Sequence, residues 1–301
     1  VSLLRPALNL WLRTFEKRRM RAGTTATLRR ALEMQARLFF HPPRGTKKQW
    51  RSHGGVPCLT LTPRSTLPGR VLFYVHGGGF VFGSPDTHSA MAANLAQRIG
   101  ATAILPRYRR APEAPFPAAS RDVRAAWDGM LADGINPAQV VLGGDSAGGA
   151  LVFGLVASLC AEKRALPGAV FAFSPLTDLT YSGDSFAANA EDDVLLVAER
   201  AAELGELYLQ GEAAENPAVS PLFSDFQGAP PVWMTVGDTE ILLDDSRRMV
   251  ARLSRYGVPA ELTIARDLPH VWPLMHNILP EARQTLAALS RWIRQRQNWE
   301  V

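Results

Sequence analysis

Cysteine is scarce in this sequence: Cys58 and Cys160 are the only two among 301 residues. A small disulfide-stapled secreted scaffold is thereby excluded, and the pair reads as two thiols in a reducing compartment. No Cys–His spacing resembles a zinc site, so no metal is expected. Long apolar runs are missing too. No stretch approaches the roughly twenty apolar residues that a membrane-spanning helix needs, so no integral membrane insertion is expected. Between Val1 and Phe15 the residues Leu4, Leu8, Trp11, Leu12 and Phe15 share one helical face, but Arg5, Asn9 and Arg13 interrupt any continuous apolar centre, and no small-residue cleavage site follows. This is not the pattern of a signal peptide, and the chain reads as cytoplasmic.

Acidic residues are scarce near the N-terminus. Through Arg51 there are 13 Lys or Arg against Glu16 and Glu33 alone, whereas the whole chain carries only +5. A basic segment on a mildly acidic body could meet nucleic acid or an anionic membrane surface. No aromatic-interleaved motif accompanies the charge, so a solvated outer face of surface helices, with no nucleic-acid partner, is the expectation. What is present is ordinary globular composition, 47% hydrophobic and 20% charged, in a chain long enough to bury about three quarters of its unfolded surface.

Residues 1 to about 40 read as two helices separated near Ala22-Gly23, the second opening at Thr24 or Thr25, and Pro42-Pro43 with Gly45 stops them. Val56 to Pro63 reads as extended. Val71–Val75, Ala101–Leu105, Val140–Leu142, Ala169–Phe173, Val232–Val236 and Val258–Ile264 read as strands, most of them continuous β-favouring runs suited to burial on both faces. Helical patterns fill the gaps at His88–Arg98, Pro117–Asp133, Ala150–Lys163, Leu243–Tyr256 and Pro280–Arg296. Alternation of this kind predicts an α/β fold, a mostly parallel sheet covered on both sides by helices. Residues 184–215, with an acidic helical stretch from Leu195 to Gln210, break the rhythm and predict an insertion capping the site. The expected division is therefore N-terminal cap helices over 1–45, core over 46–183, cap insertion over 184–215, and core again over 216–301.

Gly144-Asp145-Ser146-Ala147-Gly148 has the G-x-S-x-G form of a nucleophile elbow. In it a strand turns sharply into a helix and presents a serine hydroxyl, and close backbone approach demands the small residues. The strand before it and the helix after it give the motif its context. His76-Gly77-Gly78-Gly79-Phe80 directly follows the Val71–Val75 strand. Gly77, Gly78 and Gly79 can expose backbone N–H groups as an oxyanion hole, joined by Ala147 at the start of the elbow helix. A phosphate-binding loop is the competing reading, but neither G-x-G-x-x-G nor G-K-[ST] is present, so no nucleotide cofactor is expected.

In chain order an acid and then a histidine should follow the nucleophile. Only His270 and His276 lie beyond Ser146. His270 stands in a loop past a strand, whereas His276 falls in a helical pattern and suits packing or the surface. For the acid, Asp238, Glu240 and Asp244 all compete, and composition does not separate them.

Taken together these motifs resemble the bacterial hormone-sensitive-lipase-like esterases, of the α/β-hydrolase fold, over Val71 to Arg296. Further matches are Tyr108-Arg109-Arg110-Ala111-Pro112-Glu113 with Phe116-Pro117-Ala118, Ser174-Pro175-Leu176-Thr177-Asp178, and Leu268-Pro269-His270. The resemblance implies Ser146 as nucleophile and His270 as base. It favours Glu240 as acid, because the family's acid stands two residues before a leucine and four before an acidic residue, as Glu240 does before Leu242 and Asp244. Arg110 replaces a usual leucine, and Asp193-Val194 replaces a usual Asp-Pro in the cap; neither is expected to touch the triad. The implied substrate is a small-molecule ester with a short acyl chain, hydrolysed with no cofactor. A lactonase or amidase would use the same triad, and a non-catalytic receptor on this fold would lack the base. Relatives often dimerise through a sheet edge, which brings a homodimer into view.

Overall fold

The structure, a computed structural model, describes Ser2 and residues 4–299. Val1 and Leu3 of the expected N-terminal helices, and Glu300 and Val301 at the far end, lie outside the described residues. Eight strands form one sheet: β1 (Lys47–His53), β2 (Val56–Thr62), β3 (Val71–Val75), β4 (Thr102–Pro106), β5 (Val140–Asp145), β6 (Ala169–Phe173), β7 (Val232–Gly237) and β8 (Ala260–Ala265). Their order is β1-β2-β4-β3-β5-β6-β7-β8. From β4 to β8 every neighbour is parallel, while β1, β2 and β4 pair antiparallel.

The inner strands are apolar throughout because both faces are covered. Along β3, Val71, Phe73 and Val75 enter one core, with helices α5 (Ala118–Ala132), α6 (Ser146–Ala161) and α9 (Leu243–Arg255). The alternate residues Leu72 and Tyr74 enter the other, with α4 (Pro85–Ile99) and α10 (Pro280–Gln297). This is the period of two that a pleated strand imposes. The first strand, Lys-Lys-Gln-Trp-Arg-Ser-His, was not foreseen. It is an edge strand, exposed along its length until His53, and so carries no apolar alternation. Its turn, Gly54-Gly55 with both φ positive, has the glycine pair that a tight hairpin favours.

At the N-terminus, α1 (Leu4–Trp11), a π-helical turn (Leu12–Glu16) and α2 (Lys17–Ala22) run on to α3 (Thr25–Phe39), whose first turn is capped by the Thr24 hydroxyl. Between β6 and β7 lie α7 (Asp184–Ala188) and α8 (Ala198–Leu209). Among the described residues no helix is long and apolar enough to cross a membrane. Cys58 and Cys160 are both free.

Candidate active site

In a parallel sheet, ligands gather beyond the carboxyl ends of the strands, where the strand order reverses. Here that point lies between β3 and β5, which are in register at their carboxyl ends, Val75 opposite Gly144. The glycine loop leaves β3 and the elbow leaves β5, so adjacency of the two strands sets them side by side. Ser146 has φ +50°, a conformation in which a non-glycine residue is held only by its surroundings. The flanking glycines are obligatory: a Cβ on Gly148 would lie 2.2 Å from the Val75 carbonyl oxygen. Ser146 lines a cavity of about 490 Å³, together with His270, Gly78 and Gly79. Its hydroxyl makes no hydrogen bond to another described residue, a common state before substrate tightens such contacts.

His270 follows β8 and Glu240 follows β7. The imidazole Nδ1 lies 2.6 Å from Glu240 Oε2. The other oxygen, Oε1, accepts from Gly237 N–H at 2.6 Å and from the Ser174 hydroxyl at 2.7 Å. Residue 237 must be glycine because a Cβ there would lie 2.2 Å from the Leu268 carbonyl oxygen, two residues before His270. Asp238 points elsewhere, accepting the Asp267 N–H at 2.7 Å, and Asp244 accepts the Ser185 N–H. Of the three competing acids, only Glu240 meets the histidine. Burial alone would lower the His270 pKa, but the Glu240 charge and hydrogen bond outweigh it and hold the imidazole above its ordinary value.

A family model described as the α/β-hydrolase fold matches residues 72–274. The chain belongs to that family. An acetyl-hydrolase of Streptomyces hygroscopicus is 35% identical over 226 residues, which is 75% of this chain and 76% of that one. An esterase of Acinetobacter venetianus is 33% identical, over 74% of each chain. A crystal structure of an esterase from the bacterial hormone-sensitive lipase family superposes with a TM-score of 0.92 at 35% identity, covering 99% of both chains. This α/β hydrolase is accordingly a carboxylic-ester hydrolase of the bacterial hormone-sensitive-lipase kind.

One expectation for the hydrolase needs correction. Gly77 was expected among the oxyanion donors, but its N–H donates to Asp145 Oδ1 at 3.0 Å and is not free. Gly78 and Gly79 line the cavity instead, and their N–H groups have no acceptor among the described residues. Asp145, read from the sequence only as the variable position of the elbow motif, is a buried anchor. Its Oδ1 also accepts the Tyr74 hydroxyl at 2.7 Å, and its Oδ2 lies 3.3 Å from His88 Nε2. Burial would raise its pKa, yet the facing His88 and Tyr74 hold it low. Asp145→Ala would strand three buried partners, each costing about 1–3 kcal/mol. The urea midpoint is expected to fall with the denaturant slope unchanged.

His88, with no expected role, is therefore part of the support beneath the glycine loop. His276 is not at the surface: it is 2% exposed, and burial pushes its pKa down to about 4. The insertion also holds the loop that carries the acid. Asp193 Oδ2 accepts the N–H of Ile241 at 3.0 Å, and Asn189 Nδ2 donates to the Glu240 carbonyl at 2.8 Å. Lys17 in turn donates to the carbonyl oxygens of Ala190 and Asp193, at 2.8 and 2.7 Å.

Proposed function

We propose that Ser146, His270 and Glu240 form a catalytic triad that hydrolyses short-acyl carboxylic esters through an acyl-enzyme. The observation that carries this reading is the buried Glu240–His270 pair on the wall of the same apolar cavity as a serine held at positive φ. His270 takes the Ser146 proton as the hydroxyl oxygen bonds to the ester carbonyl carbon, a general-base effect worth about 10²–10⁴-fold. The N–H groups of Gly78, Gly79 and Ala147 receive the negative charge that develops on the carbonyl oxygen. His270 then gives its proton to the departing alcohol oxygen as the ester C–O bond breaks. Water repeats the sequence on the acyl-enzyme and releases the acid. Helices α1 to α3 and the 184–215 insertion serve as the cap, since Trp11, Leu28, Val197 and Leu204 help to wall the cavity. The short acyl chain is supported by the acetyl-hydrolase named among the relatives. A homodimer through a sheet edge belongs to the same reading.

Mixing excess nitrophenyl acetate with the enzyme should give a burst of nitrophenolate stoichiometric with protein, and one acetyl group on the peptide containing Ser146. Absence of both burst and adduct, together with failure of a fluorophosphonate to modify Ser146, would contradict the acyl-enzyme. A series of nitrophenyl esters of graded length, run beside lactones and anilides, ranks the substrate classes.

The pH profile has a definite sign. The base works only when neutral, and its pKa is raised, so kcat/KM should fall with acid at a pH above the ordinary histidine value of about 6.5. In Glu240→Gln, burial acts without the opposing carboxylate, and the acid limb is expected to move to lower pH. A limb that stays put in the variant would contradict the role given to Glu240.

A further inference from the structure

The N-terminal helices leave large apolar side chains in solvent. Leu10, Phe15, Met34 and Leu38 are 64%, 60%, 56% and 61% exposed. On α3, Arg30, Met34, Arg37 and Leu38 fall at i, i+4, i+7 and i+8, so cations and apolar groups alternate along one face. Trp11, Phe39 and Ile278 line the cavity and are also 39%, 50% and 38% exposed, which makes them its rim. Phe39 directly follows Leu38, and the Trp11 ring lies 6.4 Å from that of Phe15. Rim and patch are thus continuous.

The cations of this segment are poorly neutralised. Glu16 is taken by Arg19 and Gln35, and Glu33 accepts the Ser84 hydroxyl. Arg18, Arg21, Arg30 and Arg37 are exposed and make no ion pair among the described residues. Arg13, Lys17, Arg18 and Arg21 share a second, smaller depression with Glu191 as its one acid.

Three occupants compete for such a face. Nucleic acid would answer the charge but leave Leu, Met and Phe unmatched. A second copy would answer the apolar groups but set one basic segment against another. An anionic bilayer answers both, taking the apolar side chains at the headgroup–acyl boundary and the cations at the headgroups. We propose that this face docks on an anionic lipid bilayer and seats the cavity mouth against it. Direct entry of membrane-dissolved ester through that mouth rests on the esterase reading; the docking does not.

The test is co-sedimentation of the full chain with sucrose-loaded vesicles. Vesicles of phosphatidylcholine with phosphatidylglycerol should carry the protein down, phosphatidylcholine alone much less, and added salt should weaken the binding. Arg30→Gln with Arg37→Gln should weaken it about 30-fold, since each cation near an anionic surface contributes roughly fivefold. Met34→Ser with Leu38→Ser should weaken it too. None of these four side chains lines the cavity, so both double variants should hydrolyse nitrophenyl acetate in solution as the parent does. Ser146→Ala should sediment like the parent, which separates failure of the triad from failure of the docking. Equal binding to both vesicle types, or binding untouched by either double variant, would overturn the proposal. So would preferential binding to a duplex oligonucleotide, or a dimer in solution that Leu38→Asp dissociates.

Discussion

Ser146→Ala should lose ester turnover by about 10⁶-fold in kcat, the scale on which serine hydrolases respond to removal of the nucleophile. The fold should survive the change. The hydroxyl has no hydrogen-bond partner among the described residues, so no buried donor or acceptor is stranded. The positive φ at residue 146 costs alanine what it costs serine, because both carry a Cβ. The pair of measurements that checks this is kcat on nitrophenyl acetate and the thermal midpoint. Lost turnover with an unchanged midpoint is the expected result; substantial residual turnover would remove Ser146 from the reaction.

Glu240→Gln should cost about 10⁴-fold in kcat, as the corresponding change does in triads that rely on a buried carboxylate. The geometry says why an isostere fails. Gly237 N–H and the Ser174 hydroxyl both donate to Oε1, so that position must stay an oxygen. The amide NH2 is then forced towards His270 Nδ1, 2.6 Å from the present Oε2. A donor facing Nδ1 makes that nitrogen an acceptor and moves the ring proton to Nε2. From there it cannot take the serine proton. Asp238→Asn, whose parent carboxylate serves the Asp267 N–H, should change kcat only a few-fold. If the asparagine variant lost more than the glutamine variant, the acid would have to be reassigned to Asp238.

How much of this could be read in advance depended on whether a feature leaves a local trace. The parallel strands did, because burial on both faces demands unbroken apolar runs such as Val-Leu-Phe-Tyr-Val at 71–75. The elbow and the glycine loop did too, because crowding there permits only glycine. β1 did not, since an exposed edge strand has no apolar period. The loss of Gly77 as a free donor, and the parts played by Asp145 and His88, were illegible for another reason. They arise from hydrogen bonds between residues 57 to 71 positions apart, and nothing in either local stretch announces its partner. Choosing Glu240 over Asp238 needed the family's register, because three acids within seven residues differ only in where the turn after β7 points them.

The grip of Asn189 and Asp193 on the loop that carries Glu240, and of Lys17 on the Ala190 and Asp193 carbonyls, has a consequence for recombination. Chimaeras between related enzymes are commonly cut at loop boundaries, as though a lid could be exchanged without its base. Here a donor segment for 184–215 would arrive without the start of α2 that tethers it and the 238–241 turn that it supports. Such segments should be inherited as a trio, and hybrids that divide them should lose turnover even when every triad residue is kept.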